Sequence, residues 1–264
     1  MKTIAPRNFF LLLLLLISGF GPRATAGDEM LEEIVEQNYP LDPNAKFTLK
    51  NDDGSIRIYG ADLAEMKLQA IKKAYTKDRL GKIDVSVAVQ PGNVLINTKY
   101  PPKPKWGLSD RSGTVDYVIV LPWNCDLQEV ELGNGELLIE GMRGNEVHAR
   151  LGSGRLFGHN CFTDLYLSIG SGGLDVVYDW WENHTIGLDT TIREGNARVF
   201  IPSDAQFRLH AETANGHISN DFSSKEDRMS GEPVKIDLSV GTDPNADLKV
   251  RALDGSINIK ELYP

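Results

Sequence analysis

Residues 133–139 read Gly133-Asn134-Gly135-Glu136-Leu137-Leu138-Ile139. The pattern returns as Gly152-Ser153-Gly154-Arg155-Leu156-Phe157-Gly158, and again as Gly170-Ser171-Gly172-Gly173-Leu174-Asp175-Val176. With the second glycine of each as a marker, the series extends to Gly54, Gly113, Gly135, Gly154, Gly172, Gly195, Gly216 and Gly255. Two positions after these stand Ile56, Val115, Leu137, Leu156, Leu174, Ala197, Ile218 and Ile257, all apolar. In a chain that is 41% apolar, chance fills such a column on the order of once in a thousand trials. Four positions after stand Ile58, Tyr117, Ile139, Gly158, Val176, Val199, Asn220 and Ile259, mostly apolar again. Seven before stand Phe47, Trp106, Gln128, Val147, Leu165, Leu188, Leu209 and Leu248, and five before Leu49, Leu108, Val130, Ala149, Leu167, Thr190, Ala211 and Val250. The residue directly after each marker is never large and apolar. Period-two alternation on both sides of a Gly turn means two half-buried strands per unit.

The spacing turns the repeat into an architecture. Gly135, Gly154, Gly172, Gly195 and Gly216 follow one another at 19, 18, 23 and 21 residues, and the 39 from Gly216 to Gly255 reads as two units. Units of this length, none able to bury its apolar side alone, predict a single-stranded β-solenoid of about 20-residue coils stacked into a continuous core. The glycines supply positive φ at the corners. Asp53, Asn134, Ser153, Ser171, Asn215 and Asp254, directly before them, are expected to bond the turn backbone. The competing architecture is a β-sandwich of hairpins, whose strands need not repeat the same columns. The first and last units nearly coincide: Pro43-Asn44-Ala45 leads to Asp53-Gly54-Ser55-Ile56, and Pro244-Asn245-Ala246 to Asp254-Gly255-Ser256-Ile257.

Residues 61–108 interrupt the repeat. Met66, Leu68 and Ala70 alternate as a strand, Lys72 to Lys82 is a short basic stretch with helical character, and Val85 to Ile96 reads as a hairpin around Gln90-Pro91-Gly92-Asn93. Tyr100-Pro101-Pro102-Lys103-Pro104-Lys105 reads as a stiff linker. A β-rich insertion there is expected to cover the open edge of the stack.

The beginning of the chain has the pattern of a Sec-type signal peptide over 1–26. Lys2 and Arg7 precede the apolar run Phe9 to Ile17, and Ala24-Thr25-Ala26 is a small-residue cleavage site. The alternative, an uncleaved anchor, meets a run too short for a bilayer core of about 30 Å. Residues 27–264 then form one exported domain, in the periplasm, on the cell surface or outside the cell, with no integral membrane segment. Loss of Lys2, Arg7 and Arg23 takes the formal charge from −9 to −12. Such an acidic chain is no binder of nucleic acid, which requires a basic face.

Val115-Asp116-Tyr117-Val118-Ile119-Val120-Leu121-Pro122, followed by the Gly-Asn-Gly and Gly-Ser-Gly turns at 133–135 and 152–154, resembles the bacterial putative-adhesin domains of unknown function. The resemblance runs from about Pro43 to Phe222. It implies an exported or envelope-associated single-stranded β-helix, and it brings no catalytic residues. That family places Asp after the second glycine of its turns, where this chain has Glu136, Arg155 and Gly173.

No metal or cofactor site is expected. His148, His159, His184, His210 and His217 are spread over different units, where zinc needs three or four converging ligands. The RTX and EF-hand patterns for calcium are absent. Cys125 and Cys161 occupy near-equivalent sites two units apart, roughly 9.6 Å at about 4.8 Å per rung, too far to bridge unless a loop distorts. No hydrolase elbow, zinc-protease motif or phosphate loop occurs. Asp164, Asp175, Asp179 and Arg198 are the one set that a carbohydrate-active β-helix enzyme could use, and such an enzyme is the alternative function. The candidate contact site is Asp179-Trp180-Trp181-Glu182, inside the 23-residue interval. Paired Trp residues between carboxylates stack on sugars or anchor a protein partner, whereas the plainer reading has one Trp covering the core. Together these features predict a non-enzymatic exported module for interaction, adhesion or envelope structure, with a surface glycan or envelope protein as partner.

Overall fold

The computed structural model describes residues 29–90, 92–102, 112–182, 184–222 and 233–262. The expected signal peptide, the linker beyond Pro102 and the column residues Trp106 and Leu108 lie outside them. The strands are β1 (Leu31–Pro40), β2 (Lys46–Ala61), β3 (Glu65–Ala74), β4 (Asp84–Gln90), β5 (Asn93–Lys99), β6 (Thr114–Pro122), β7 (Asp126–Glu140), β8 (Glu146–His159), β9 (Asp164–Val177), β10 (Ile186–Pro202), β11 (Phe207–Asn215), β12 (Ile218–Asn220), β13 (Val234–Val240) and β14 (Ala246–Leu262). One short helix, α1 (Lys77–Gly81), begins where the Thr76 hydroxyl accepts the Arg79 N–H at 3.2 Å. The fold is all-β: one mixed parallel and antiparallel sheet, not closed on itself.

The marker glycines explain its centre. β2, β7, β8, β9, β10 and β14 lie side by side in parallel, and Gly54, Gly135, Gly154, Gly172, Gly195 and Gly255 stand opposite one another in register. Each strand passes through its glycine at positive φ, and these positions form the corner column of the sequence reading. Gly135 and Gly154 have φ of 133° and 129°, and a Cβ on Gly154 would sit 1.9 Å from the Gly135 carbonyl oxygen. Only glycine tolerates both the backbone angle and the approach. The columns on either side point inward, with Ile56, Leu137, Leu174 and Ile257 buried along with Leu49, Val147, Leu165 and Leu248. Parallel strands buried this way supply the core that no single unit could.

Chain order and stacking order part company at both ends. On the amino-terminal side β2 lies between β7 and a composite rung, in which β5 pairs with its first half and β6 with its second. Antiparallel strands then finish the sheet, β3 on β6, β1 on β3 and β4 on β5. Residues 61–102 therefore supply the first half of that rung in β5 and antiparallel cover in β3 and β4. On the other side β14 enters between β10 and β11, and antiparallel β13 covers β11.

Several expectations are corrected. Gly113 is outside the corner column, because Gly54 pairs with Val115, so Tyr117 and not Val115 stands opposite Ile56. A two-residue slip preserves which side chains face inward, so both remain buried. Gln128 does not fill its column either. A bulge between Leu127 and Val130 places Leu127 opposite Phe47 and Val147. The 39 residues from Gly216 to Gly255 hold an antiparallel strand rather than a second coil. The basic stretch starts in β3, which continues to Ala74, and its second half is the helix α1, as expected. The short polar residues before the glycines bond to each other across rungs: Asn134 donates to Asp53 at 3.0 Å, Ser153 to Asn134 at 2.7 Å and Asn215 to Asp254 at 2.7 Å.

Candidate functional site

After β9 the chain leaves the sheet at Tyr178 and rejoins it at Ile186, and the four expected contact residues lie in this return segment. The two tryptophans take opposite fates. Trp181 packs against the core, edge-on to Tyr178 at 5.6 Å and 6.3 Å from Phe207 between ring centres. Its indole N–H is buried without a hydrogen-bond partner. Trp180 is 47% exposed and leans on Phe162 at 5.7 Å.

The surroundings hold Trp180 in place. Its Nε1 donates to Glu182 Oε1 at 3.0 Å, and the other oxygen of Glu182 receives Arg143 Nη1 at 2.5 Å. The Arg143 guanidinium lies 5.0 Å over the Phe162 ring. Arg143 holds the Glu182 carboxyl below its ordinary range, against a smaller opposing effect of burial. Asp179 accepts from Asn160 Nδ2 at 3.0 Å and contacts His159 Nε2 at 2.8 Å. The Asn160 bond, more than His159, keeps that carboxyl low as well. Asn160 itself has φ of 49°, and its side-chain oxygen accepts the Asp179 N–H at 2.9 Å. The site is thus an exposed indole on a fixed aromatic and ionic base. It offers a flat apolar face beside charged rims. Sequence reasoning missed Phe162, Arg143, Asn160 and His159. Their signal was distance along the chain, since Phe162 and Asn160 lie 18 and 19 residues before Trp180 and Asp179, one repeat away.

The set named for sugar chemistry is not brought together. Asp164 accepts the Gly187 N–H at 2.8 Å, and Asp179 is engaged as described. Asp175 and Arg198 do meet, with Arg155 completing a triad. Burial drives the Asp175 carboxyl up, but Arg198 and Arg155 outweigh it and hold the group below its ordinary range. A general acid needs the reverse. Among the described residues no three His, Cys, Asp or Glu gather as a metal site. Cys125 and Cys161 are free and buried, and burial pushes their thiols up to about 12 and about 11.

Comparison with solved structures adds one result. A putative cell adhesion protein from Clostridium sporogenes aligns over 89% of this chain and 100% of its own, with a TM-score of 0.50 and 17% identity. The likeness is one of fold. A putative adhesin from Bacteroides fragilis (TM-score 0.34, 11% identity, 87% of this chain and 97% of that one) is more distant. So is a putative lipid binding protein from Parabacteroides distasonis (0.36, 12%, 88% and 97%). No family model and no curated protein matches the chain. No helix among the described residues is long and apolar enough to cross a membrane.

Proposed function

We propose that this chain is an exported, non-enzymatic β-solenoid that holds a surface glycan or an envelope protein against the corner built around Trp180. The observation that carries the reading is the exposed Trp180 ring fixed by Phe162 and Glu182. Large exposed aromatics held rigid lose little entropy when a partner covers them. The solenoid is supported by marker glycines of consecutive strands meeting in parallel register, which requires the chain to return to the same side after each coil. Export is supported by the amino-terminal pattern, and an adhesive role by the name of the Clostridium sporogenes protein.

Titration of intrinsic fluorescence with gluco-, malto- and chito-oligosaccharides, and pull-down with purified envelope protein, test the site. Trp180→Ala is expected to weaken capture at least tenfold with the melting temperature unchanged. Equal capture by wild type and variant would overturn the assignment. Incubation with neutral and acidic polysaccharides tests the enzyme alternative: chain shortening lost in Asp175→Ala or Asp179→Ala would replace binding by catalysis.

A further inference from the structure

The outward side of the second half of each rung carries a feature that the Trp180 corner does not use. Register places Arg57, Leu138, Phe157, Asp175 and Arg198 in one row across β2, β7, β8, β9 and β10. Two residues nearer the corner the row reads Ser55, Glu136, Arg155, Gly173 and Asn196. Asp175 belongs to an outward row, yet its side chain is only 2% exposed. The cover comes from the neighbouring rungs. Arg155 reaches its Oδ2 with Nε at 3.0 Å and Nη2 at 2.6 Å. Arg198 takes both oxygens, with Nε at 2.6 Å and Nη2 at 2.7 Å.

One buried carboxylate therefore fixes two guanidiniums whose side chains are 57% and 45% exposed. Neither Nη1 group is spent on Asp175, and the triad keeps one net positive charge on a chain of formal charge −9. Between the arginines, β9 carries Gly173, where an added Cβ would meet nothing within 4 Å. The surface is bare there. Alongside, Arg57, Glu136, Leu138, Arg155 and Phe157 line an open groove of about 290 Å³, with the half-buried Leu138 and Phe157 as its floor.

Stability gives little reason for this arrangement. A buried ion triad is commonly no more stable than apolar side chains of its size. An anion site, in contrast, needs what is present: guanidinium forks already oriented, spare N–H donors facing out, and apolar surface beside them. We propose that this face binds an acidic polysaccharide of the uronate class. Its carboxylates meet Arg155, Arg198 and Arg57, and its sugar faces lie on Phe157 and Leu138. Arg155 and Arg198 converge on Asp175 and form one cationic centre, and the Arg57 backbone stands two strands from that of Arg155, roughly 9.6 Å across the sheet at about 4.8 Å per strand. A chain with regularly repeated charge matches such a track, and an open groove along a flat face does not enclose an acyl tail. The inference stands apart from the Trp180 site, shares no residue with it, and can fail separately.

Calorimetric titration of the full chain with oligogalacturonate at low and high salt tests it, with dextran and dodecanoate as comparison ligands. Oligogalacturonate is expected to bind and to weaken as salt screens the charges, dodecanoate should show no measurable affinity, and any binding of dextran should be indifferent to salt and to Gly173→Glu. Gly173→Glu places a carboxylate between the two guanidiniums and should lose at least tenfold, while Gly173→Ala binds as wild type. Arg57→Gln, outside the triad and so neutral to its packing, should weaken binding several-fold. The proposal is overturned if oligogalacturonate does not bind, if dodecanoate binds in its place, or if Gly173→Glu and Arg57→Gln both bind as wild type.

Discussion

Replacing Gly154 by alanine tests whether the corner column organises the sheet. The added methyl would lie 1.9 Å from the Gly135 carbonyl oxygen and 2.9 Å from its carbon, in a backbone at φ 129°. Holding a residue with a side chain in that glycine-only region costs on the order of 1–3 kcal/mol. Relief of the overlap requires the rungs to separate by more than an ångström. That breaks the hydrogen bonds flanking the corner, about 1 kcal/mol net for each. The sum is about 3–5 kcal/mol, at the upper end for one substitution. Gly173→Ala is the internal control, since the same methyl nineteen residues later meets nothing within 4 Å. It should stay within about 0.5 kcal/mol of wild type. With a urea slope of about 3 kcal/mol per molar, the Gly154→Ala midpoint falls by about 1–1.6 M with the slope preserved. A shift below about 0.3 M, or an equal shift in the Gly173→Ala control, would refute the claim that the carbonyl-to-glycine approach is obligatory.

Three further outcomes follow from the same contacts. The Asp175 carboxyl is held low by Arg198 and Arg155 after burial has worked against them. Its contribution is therefore complete above the unfolded value of about 3.9 and is lost as pH falls through the lower folded value. Asp175→Asn should cost about 1–3 kcal/mol at pH 7, with the two denaturation curves drawing together as pH falls; a gap that does not narrow in acid contradicts the ion-pair account. Trp181→Ala should cost about 3 kcal/mol through lost core packing, and Trp180→Ala less than about 1 kcal/mol; equal losses in thermal melts would mean that both rings pack alike. With thiols pushed up to about 12 and about 11, Cys125 and Cys161 should resist a thiol reagent at pH 8 while folded. Two thiols should react in urea without reductant, and none reacting would reveal a bridge.

The inward columns were readable because strand parity survives small errors. Gly113 was placed two residues from its true register, yet Val115 and Tyr117 both remain inside, because a slip of two returns each side chain to the same face. The bulge at Leu127 is different, since a single extra residue reverses parity, and Gln128 showed it only as a polar intruder in an apolar column. Stacking order was not readable at all. Nothing in the letters of β14 says that it enters between β10 and β11, because both neighbours offer the same column of glycine and aliphatic residues. The near-identity of the first and last units acquires a reason only afterwards. β2 and β14 are both interior rungs, each covered by chain out of sequential order, and so both carry full apolar columns.

The surface was legible to the extent that it follows the same repeat. Trp180 and Trp181 sit off the strands, where alternation gives no direction, and only packing against Tyr178 and Phe207 decides which ring is buried. Arg155, Asp175 and Arg198, however, hold fixed offsets from their glycines, one, three and three residues on. Parallel register alone therefore brings them to adjacent rungs on the outward side. In the sequence Asp175 invited a catalytic reading together with Asp164, Asp179 and Arg198. Beside an arginine on the strand before and another on the strand after, it is the counter-ion that fixes two guanidiniums. Across parallel strands in register the informative neighbours of a polar residue stand one strand away, here 20 and 23 positions along the chain, and chemistry inferred from adjacent letters misses them.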